Sequence, residues 1–382
     1  MKSWLLMAAL LLSQAALAKP GDSPQPTPET PNTAPPVALE TRRIAPDLTT
    51  LPLDKGLPVI VRVGVYYQSV TGFDENAGTF NGTVDLRLRW EDPRLHYPAG
   101  DTPRGFQEYR GPKADDKLKQ IWSPGIAFTN RQEEPSYQVT NVRIFPNGSV
   151  ELMQRTTAQF SLKVDAGNFP FDRQTLAVEV EIRKETTNEA ALIFLQEDLD
   201  FSRSAQDIAL DGWDTGLVRI SRPIRPGWYG ESHSALIIGL EVKRQATQVI
   251  ASVFIPLIAS LLIPLVALWM NGTENGEFKV EAFELANVIV GGLFAVIALN
   301  FTINSAYTLI ASGDNTVTRL FNLNYVTLGL VLLIVILMYR FNLLKRLFGE
   351  YVQEESFLFL MWALPVLAFG TAGAFIAVAA VG

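Results

Sequence analysis

The chain of 382 residues contains no cysteine and only two histidines, His96 and His233. Without cysteine there is no disulfide framework and no thiolate metal site, so any exported part must be held by core packing alone. Two isolated histidines exclude a histidine-rich metal cluster, and no Gly-rich phosphate loop or nucleophile elbow is present. The pairs Glu133-Glu134 and Asp198/Asp200 read as solvated loop charges rather than catalytic acids. No enzymatic activity, cofactor or metal is expected. A net charge of −7 argues against nucleic acid as a partner.

Charge is also missing locally, and that absence organises the chain. Residues 246–273, 285–313, 320–339 and 356–382 carry no charged side chain. Each run is long enough for a membrane-spanning helix, and four in succession exclude the buried core of a soluble protein. The expected spans are about 246–270, 284–310, 319–340 and 356–381. At the other end, Lys2 leads an apolar run closing on Ala16-Leu17-Ala18, the pattern of a cleaved secretory leader over 1–18. Residues 19–45 are Pro/Thr-rich and read as an extended linker. An exported domain over 46–244 then precedes a membrane domain over 245–382. The link between the third and fourth spans carries Arg340, Lys345 and Arg346, as a cytoplasmic loop should. The link between the first two is on the same side yet acidic, with Glu274, Glu277, Glu281 and Glu284 against Lys279.

Residues 46–244 alternate with period two. Val84, Leu86, Leu88 and Trp90 share one face opposite Asp85, Arg87 and Arg89. Leu176, Val178, Val180 and Ile182 oppose Glu179 and Glu181, and Leu240 and Val242 oppose Glu241 and Lys243. Many such strands between Gly/Pro/Asn turns make an antiparallel β-sandwich.

Within that sandwich, the segment NFPFDRQTL at 168–176 is unusual. Pro170 and Asp172 suit a surface turn, but Phe169 and Phe171 require something apolar against them. Other motifs accompany it: Trp90-Glu91-Asp92-Pro93-Arg94-Leu95, then Trp122-Ser123-Pro124 with Asn130, then Phe145-Pro146-Asn147-Gly148, and Arg244 just before the first span. In this order they resemble the pentameric ligand-gated ion channels, the Cys-loop receptor superfamily, and most closely its bacterial members. Leu162 and Leu176 stand where animal receptors have their loop cysteines. The resemblance implies a symmetric homopentamer with a periplasmic sandwich above a four-helix membrane domain. It implies that Phe169, Pro170, Phe171 and Asp172 hang from the base of the sandwich. There the two phenylalanines would be buried against the helix tops, and Asp172 would face Arg244, with Asp74 or Glu75 as further partners.

The second span, stepped by three and four, presents Glu284, Asn287, Gly291, Phe294, Ala298, Phe301 and Ser305 on one face. Polar groups at membrane depth normally line protein or water. In a fivefold ring, Glu284 repeats as five carboxylates at the inner mouth, which favours cations and explains the acidic loop. The agonist of this family sits between subunits among aromatics. Here Trp228 and Tyr229 are placed in the capping loop, but Thr129 and Arg183 stand where rings are expected, so no aromatic cage for a quaternary ammonium is offered. Protons, divalent ions or an unidentified small molecule remain open as modulators.

The expectation is therefore a ligand- or proton-gated channel for monovalent cations, multi-pass in a bacterial inner membrane and in contact with its lipid. The alternative is a non-conducting membrane-anchored sensor or small-molecule-binding protein.

Overall fold

A computed structural model describes residues 47–274, 277–311 and 313–381. The expected leader and linker lie outside the described residues.

Two sheets face one another. The first has strand order β3 (Gln107–Arg110), β5 (Tyr137–Ile144), β6 (Ser149–Ser161), β2 (Thr79–Glu91), β1 (Val59–Asp74) and β8 (Ala190–Ile193). The second runs β10 (Ile224–Pro226), β11 (Ser232–Arg244), β7 (Arg173–Ile182) and β4 (Ile126–Phe128), with β9 (Trp213–Ser221) also paired to β11. All pairings are antiparallel except β1 with β8.

The alternation seen in the sequence becomes the core. Leu86, Leu88 and Trp90 of β2 and Leu176, Val178 and Ile182 of β7 are buried, while Arg87, Arg89, Glu179 and Glu181 point outward. Tyr67 ties the sheets together. Its hydroxyl, fully buried on β1, lies 2.8 Å from the Leu176 carbonyl and 2.7 Å from that of Ile238. Trp90 and Trp122 pack edge to face at 6.1 Å. Asp92, also buried, caps the following helical turn and holds Arg94 through two 2.8 Å hydrogen bonds.

Four helices are long and apolar enough to cross a membrane: Ile250–Trp269, Phe283–Ala306, Thr316–Arg340 and Glu350–Val381. The second packs tightly on the first and third at Gly292. A Cβ there would come within 2.6 Å of Ile263 Cγ2 and 3.4 Å of Leu328 Cδ2. Several buried polar groups find their partners within the bundle, where the bilayer offers none. Ser260 donates to the Leu257 carbonyl at 2.7 Å, and Asn324 donates to the carbonyls of Leu257 and Leu320 at 3.2 Å each. The Trp269 indole donates to the Met361 carbonyl at 3.0 Å, joining the first helix to the fourth.

The fourth helix starts at Glu350 rather than at 356. An uncharged run marks only what must sit in lipid, whereas a helix can continue into water with charged residues. Gln353, fully buried, fixes the extra turns by accepting from the Lys345 amide at 3.0 Å and donating to Asn342 at 3.2 Å.

Candidate pore face and coupling site

The second spanning helix has one committed face. Leu285, Ile289, Val296 and Ile303 are buried, and Gly292 lies in the same stripe. At about 100° per residue, positions two further on lie roughly opposite. Those positions are Asn287, Gly291, Phe294, Ala298 and Ser305, all exposed, and they continue to Glu284 at one end and through Phe301. Phe294 is 68% and Phe301 76% exposed, so neither ring packs within its own subunit. Gly291 has open space where a side chain would stand, in contrast to Gly292. Only 22% of this helix's most apolar stretch is buried, against 44% for the first and third and 28% for the fourth. Thr302 and Ser305 donate back to the carbonyls of Ala298 (2.9 Å) and Phe301 (2.8 Å). On the flank, Asn300 donates to the Tyr325 hydroxyl of the third helix at 3.0 Å.

At the base of the sandwich, Phe169 is 1% exposed and belongs to the hydrophobic core of the helices, not to that of the sheets. Its ring lies 5.6 Å from that of Tyr307, which ends the second helix. Pro170 is buried beside it. Phe171 departs from expectation: it is half-buried and joins neither core. The tight turn sends the two rings in different directions, so one anchors and the other stays at the rim.

Arg244 ends β11 immediately before the membrane and is 6% exposed. It donates to Asp172 from Nε (2.6 Å) and Nη2 (3.0 Å), and to Glu75 from Nη1 (3.0 Å) and Nη2 (2.5 Å). The guanidinium is also stacked between Trp213, at 4.2 Å, and Phe169, at 4.9 Å. Burial works against its charge, yet the hydrogen bonds to Asp172 and Glu75 outweigh that cost and hold Arg244 above its ordinary value. Of the two further partners foreseen, Glu75 takes the role. Asp74 is spent on its own turn, accepting from the amides of Asn76 and Ala77. Gln174 donates to Asp172 at 2.7 Å and completes the cluster.

A direct link to the helix end follows. Thr308 donates to Asn76 at 2.6 Å, above a cleft of about 500 Å³ lined by Phe73, Glu75, Phe169, Tyr307 and Ile310 among others. The Thr308–Asn76 contact had no signal in sequence, because two polar loop residues 232 positions apart show no pattern.

The residues named for a ligand do not converge within one subunit. Trp228 and Tyr229 project into solvent at 95% and 92% exposure. Thr129 donates to Glu179 at 3.1 Å, and Arg225 donates to the same carboxylate at 2.6 Å. Arg183 is exposed. Glu185, two residues on from Arg183, is buried and accepts from the Trp122 indole at 3.1 Å. Asp198 overturns its reading as a solvated charge. It is 1% exposed and chelated by Arg62 and Arg87, with Arg62 Nε at 2.9 Å and Arg87 Nη2 at 3.0 Å. Its acidity is raised by these partners against the desolvation that opposes it. Among the described residues, no cluster of histidine, aspartate and glutamate could hold a metal ion.

A two-sheet sandwich joined through a buried arginine cluster to four spanning helices defines a receptor-type membrane protein with its sandwich on the extracellular or periplasmic side. A family model for the neurotransmitter-gated ion-channel ligand binding domain matches residues 47–246, and the chain belongs to that family. It is 27% identical over 251 residues to a proton-gated ion channel of Gloeobacter violaceus, an alignment covering 65% of this chain and 64% of the relative. It is 25% identical over 234 residues to the rat gamma-aminobutyric acid receptor subunit rho-2, covering 59% of this chain and 48% of the relative. The mouse gamma-aminobutyric acid receptor subunit theta is 25% identical over 230 residues, covering 59% and 34%. The chain thus spans less than two thirds of the length of each of these relatives.

Proposed function

We propose that the protein is a homopentameric, ligand- or proton-gated channel for monovalent cations in a bacterial inner membrane, with the sandwich in the periplasm. The observation that carries this reading is the second helix. Its Glu284-to-Ser305 stripe lies opposite the face buried in its own subunit and carries a carboxylate at one end. Five copies around an axis turn that stripe into the wall of a pore with five carboxylates at the inner mouth. Phe294 forms an apolar ring at mid-depth that closes the pore by excluding water, and Phe301 forms a second ring two turns outward.

Gating runs through the base of the sandwich. A rearrangement of the sheets moves β11 and the loop of Phe169 and Asp172, which Arg244 binds together. Phe169 against Tyr307 and Asn76 against Thr308 pass that movement to the outer end of the second helix. The proton-gated relative supports protons as one stimulus. Trp228, Tyr229, Thr129 and Arg183 are the residues offered to a small-molecule ligand from the neighbouring subunit's side. Current across a bilayer holding the purified protein, recorded while pH and candidate ligands are varied, tests the reading. Cation current that switches with a stimulus supports it, and an intact pentamer that stays silent throughout favours the non-conducting sensor.

A further inference from the structure

One cleft of the sandwich lies at the opposite end of β1 from the coupling cluster. It encloses about 770 Å³ at the end of the first sheet where β1 begins. Thirteen to fifteen residues of β1 separate it from Glu75, roughly 45 Å at the rise of an extended strand. Its volume is within the usual range of about 300–1,000 Å³ for small-molecule pockets. Pro58, Ile60, Phe145 and Pro146 give it apolar walls, and Arg62 and Arg89 stand among them.

Those arginines belong to a row of charges running straight across five strands. Arg62 on β1 faces Arg89 on β2, which faces Glu151 on β6, then Arg143 on β5, then Glu108 on β3. Signs alternate along the row except at its first step, where two arginines are direct cross-strand neighbours. Like charges so placed repel unless an anion lies between them. That anion is supplied from outside the sheet by Glu197, on the helical turn Gln196–Phe201. Its Oε2 lies 2.8 Å from Arg62 Nη2 and 3.5 Å from Arg89 Nη1. The Glu197 side chain is nonetheless 70% exposed, whereas Asp198 beside it is sealed in. Asp198 therefore anchors the turn, and Glu197 is free to leave.

We propose that this cleft binds a small carboxylate with an apolar body, the carboxylate replacing that of Glu197 between Arg62 and Arg89. The built-in acid shows what group the two guanidinia accept. Nη1 of Arg62 and Nη2 of Arg89 have no protein acceptor among the described residues, so an incoming carboxylate finds an unused donor on each guanidinium. The acidic strength of Glu197, raised chiefly by its hydrogen bond from Arg62, agrees with a strongly anion-binding position. Pro58, Ile60 and Pro146 then cover the apolar body. On binding, Glu197 swings into solvent while Asp198 keeps the turn on the sheet.

Calorimetric titration of the purified full chain in nanodiscs with benzoate, and with benzamide as its uncharged counterpart, tests this without any measurement of current. Benzoate should bind and benzamide should not. Glu197→Gln removes the internal competitor and should tighten benzoate by about tenfold, the equivalent of one charge-assisted contact. Arg89→Gln should abolish binding, and Trp228→Ala should leave it unchanged. Equal binding of the two probes, no benzoate binding to wild type and Glu197→Gln alike, or a Glu197→Gln variant that binds no more tightly overturns the proposal. So does loss of benzoate binding in Trp228→Ala, which would place the probe at the capping loop.

Discussion

Replacing Asp172 with Asn removes one of the two acids that hold Arg244. The exchange keeps the shape of the side chain but removes its charge and puts an NH2 donor where one carboxylate oxygen accepted from Arg244 or Gln174. Both partners are nearly dry, at 3% and 6% exposure, and two of the four acid contacts of the guanidinium end on Asp172. Breaking a buried pair on one side costs about 3–5 kcal/mol, and because Glu75 remains in place the lower end, about 3 kcal/mol, applies. Glu75→Gln should cost less, about 1 kcal/mol, because that side chain is 26% exposed and water replaces part of what is lost. Arg244→Gln leaves Asp172 buried without its cation and should be the most damaging of the three. The assay is a double-mutant cycle of Asp172→Asn and Arg244→Gln, read on the thermal midpoint of the purified protein and on the stimulus needed for half-maximal current. A coupling energy of roughly 2 kcal/mol or more is expected. Single variants that assemble and gate like wild type, with additive effects in the double, would refute the role given to the cluster.

Other consequences are as direct. Phe294→Ser should give a channel that leaks without stimulus. If it stays shut while Phe301→Ser leaks, the closing ring lies two turns outward, as conductance recordings would show. Gly292→Ala must push Ile263 and Leu328 aside and should cost on the order of 1–3 kcal/mol of bundle stability, visible as a lower thermal midpoint. Gly291→Ala, facing open space, should leave that midpoint unchanged. Glu108 is held by Arg143, with Asn141 and Arg110, at about 2 rather than its ordinary 4.5. Since its folded value is depressed, its contribution is complete above pH 4.5 and disappears as pH falls toward about 2. Edge strand β3 should therefore loosen only in that window, and Glu108→Gln should remove the dependence as read by amide exchange at residues 107–110.

Much of this was legible in the residues because its causes are local. Alternation on β2 and β7 follows from one face being dry, and an uncharged run of about twenty residues follows from the thickness of the bilayer. The stripe from Glu284 to Ser305 was legible for the same reason, since a helix with a single packed side repeats that side every three or four residues. What could not be read arises between distant segments. Asp198 looks like any loop acid until the fold brings Arg62 and Arg87 over it, more than 110 positions away in sequence. Phe171 and Phe169 flank the same proline, Pro170, yet one ring is buried and the other only half-buried, a difference that nothing in the motif itself registers. The fourth helix begins early because Gln353 finds partners at Asn342 and Lys345, a contact that hydropathy does not register.

The central claim is that the exposed face of the second helix lines a cation pathway with Glu284 at its mouth. Reversal potentials of open-channel current in asymmetric sodium chloride, for wild type and Glu284→Gln, test it most directly. The expected result is a wild-type potential close to that of sodium, moving toward the chloride value when the Glu284 carboxylates become amides, together with a smaller conductance. A wild-type potential at the chloride value, or one that the exchange leaves unmoved, would contradict it.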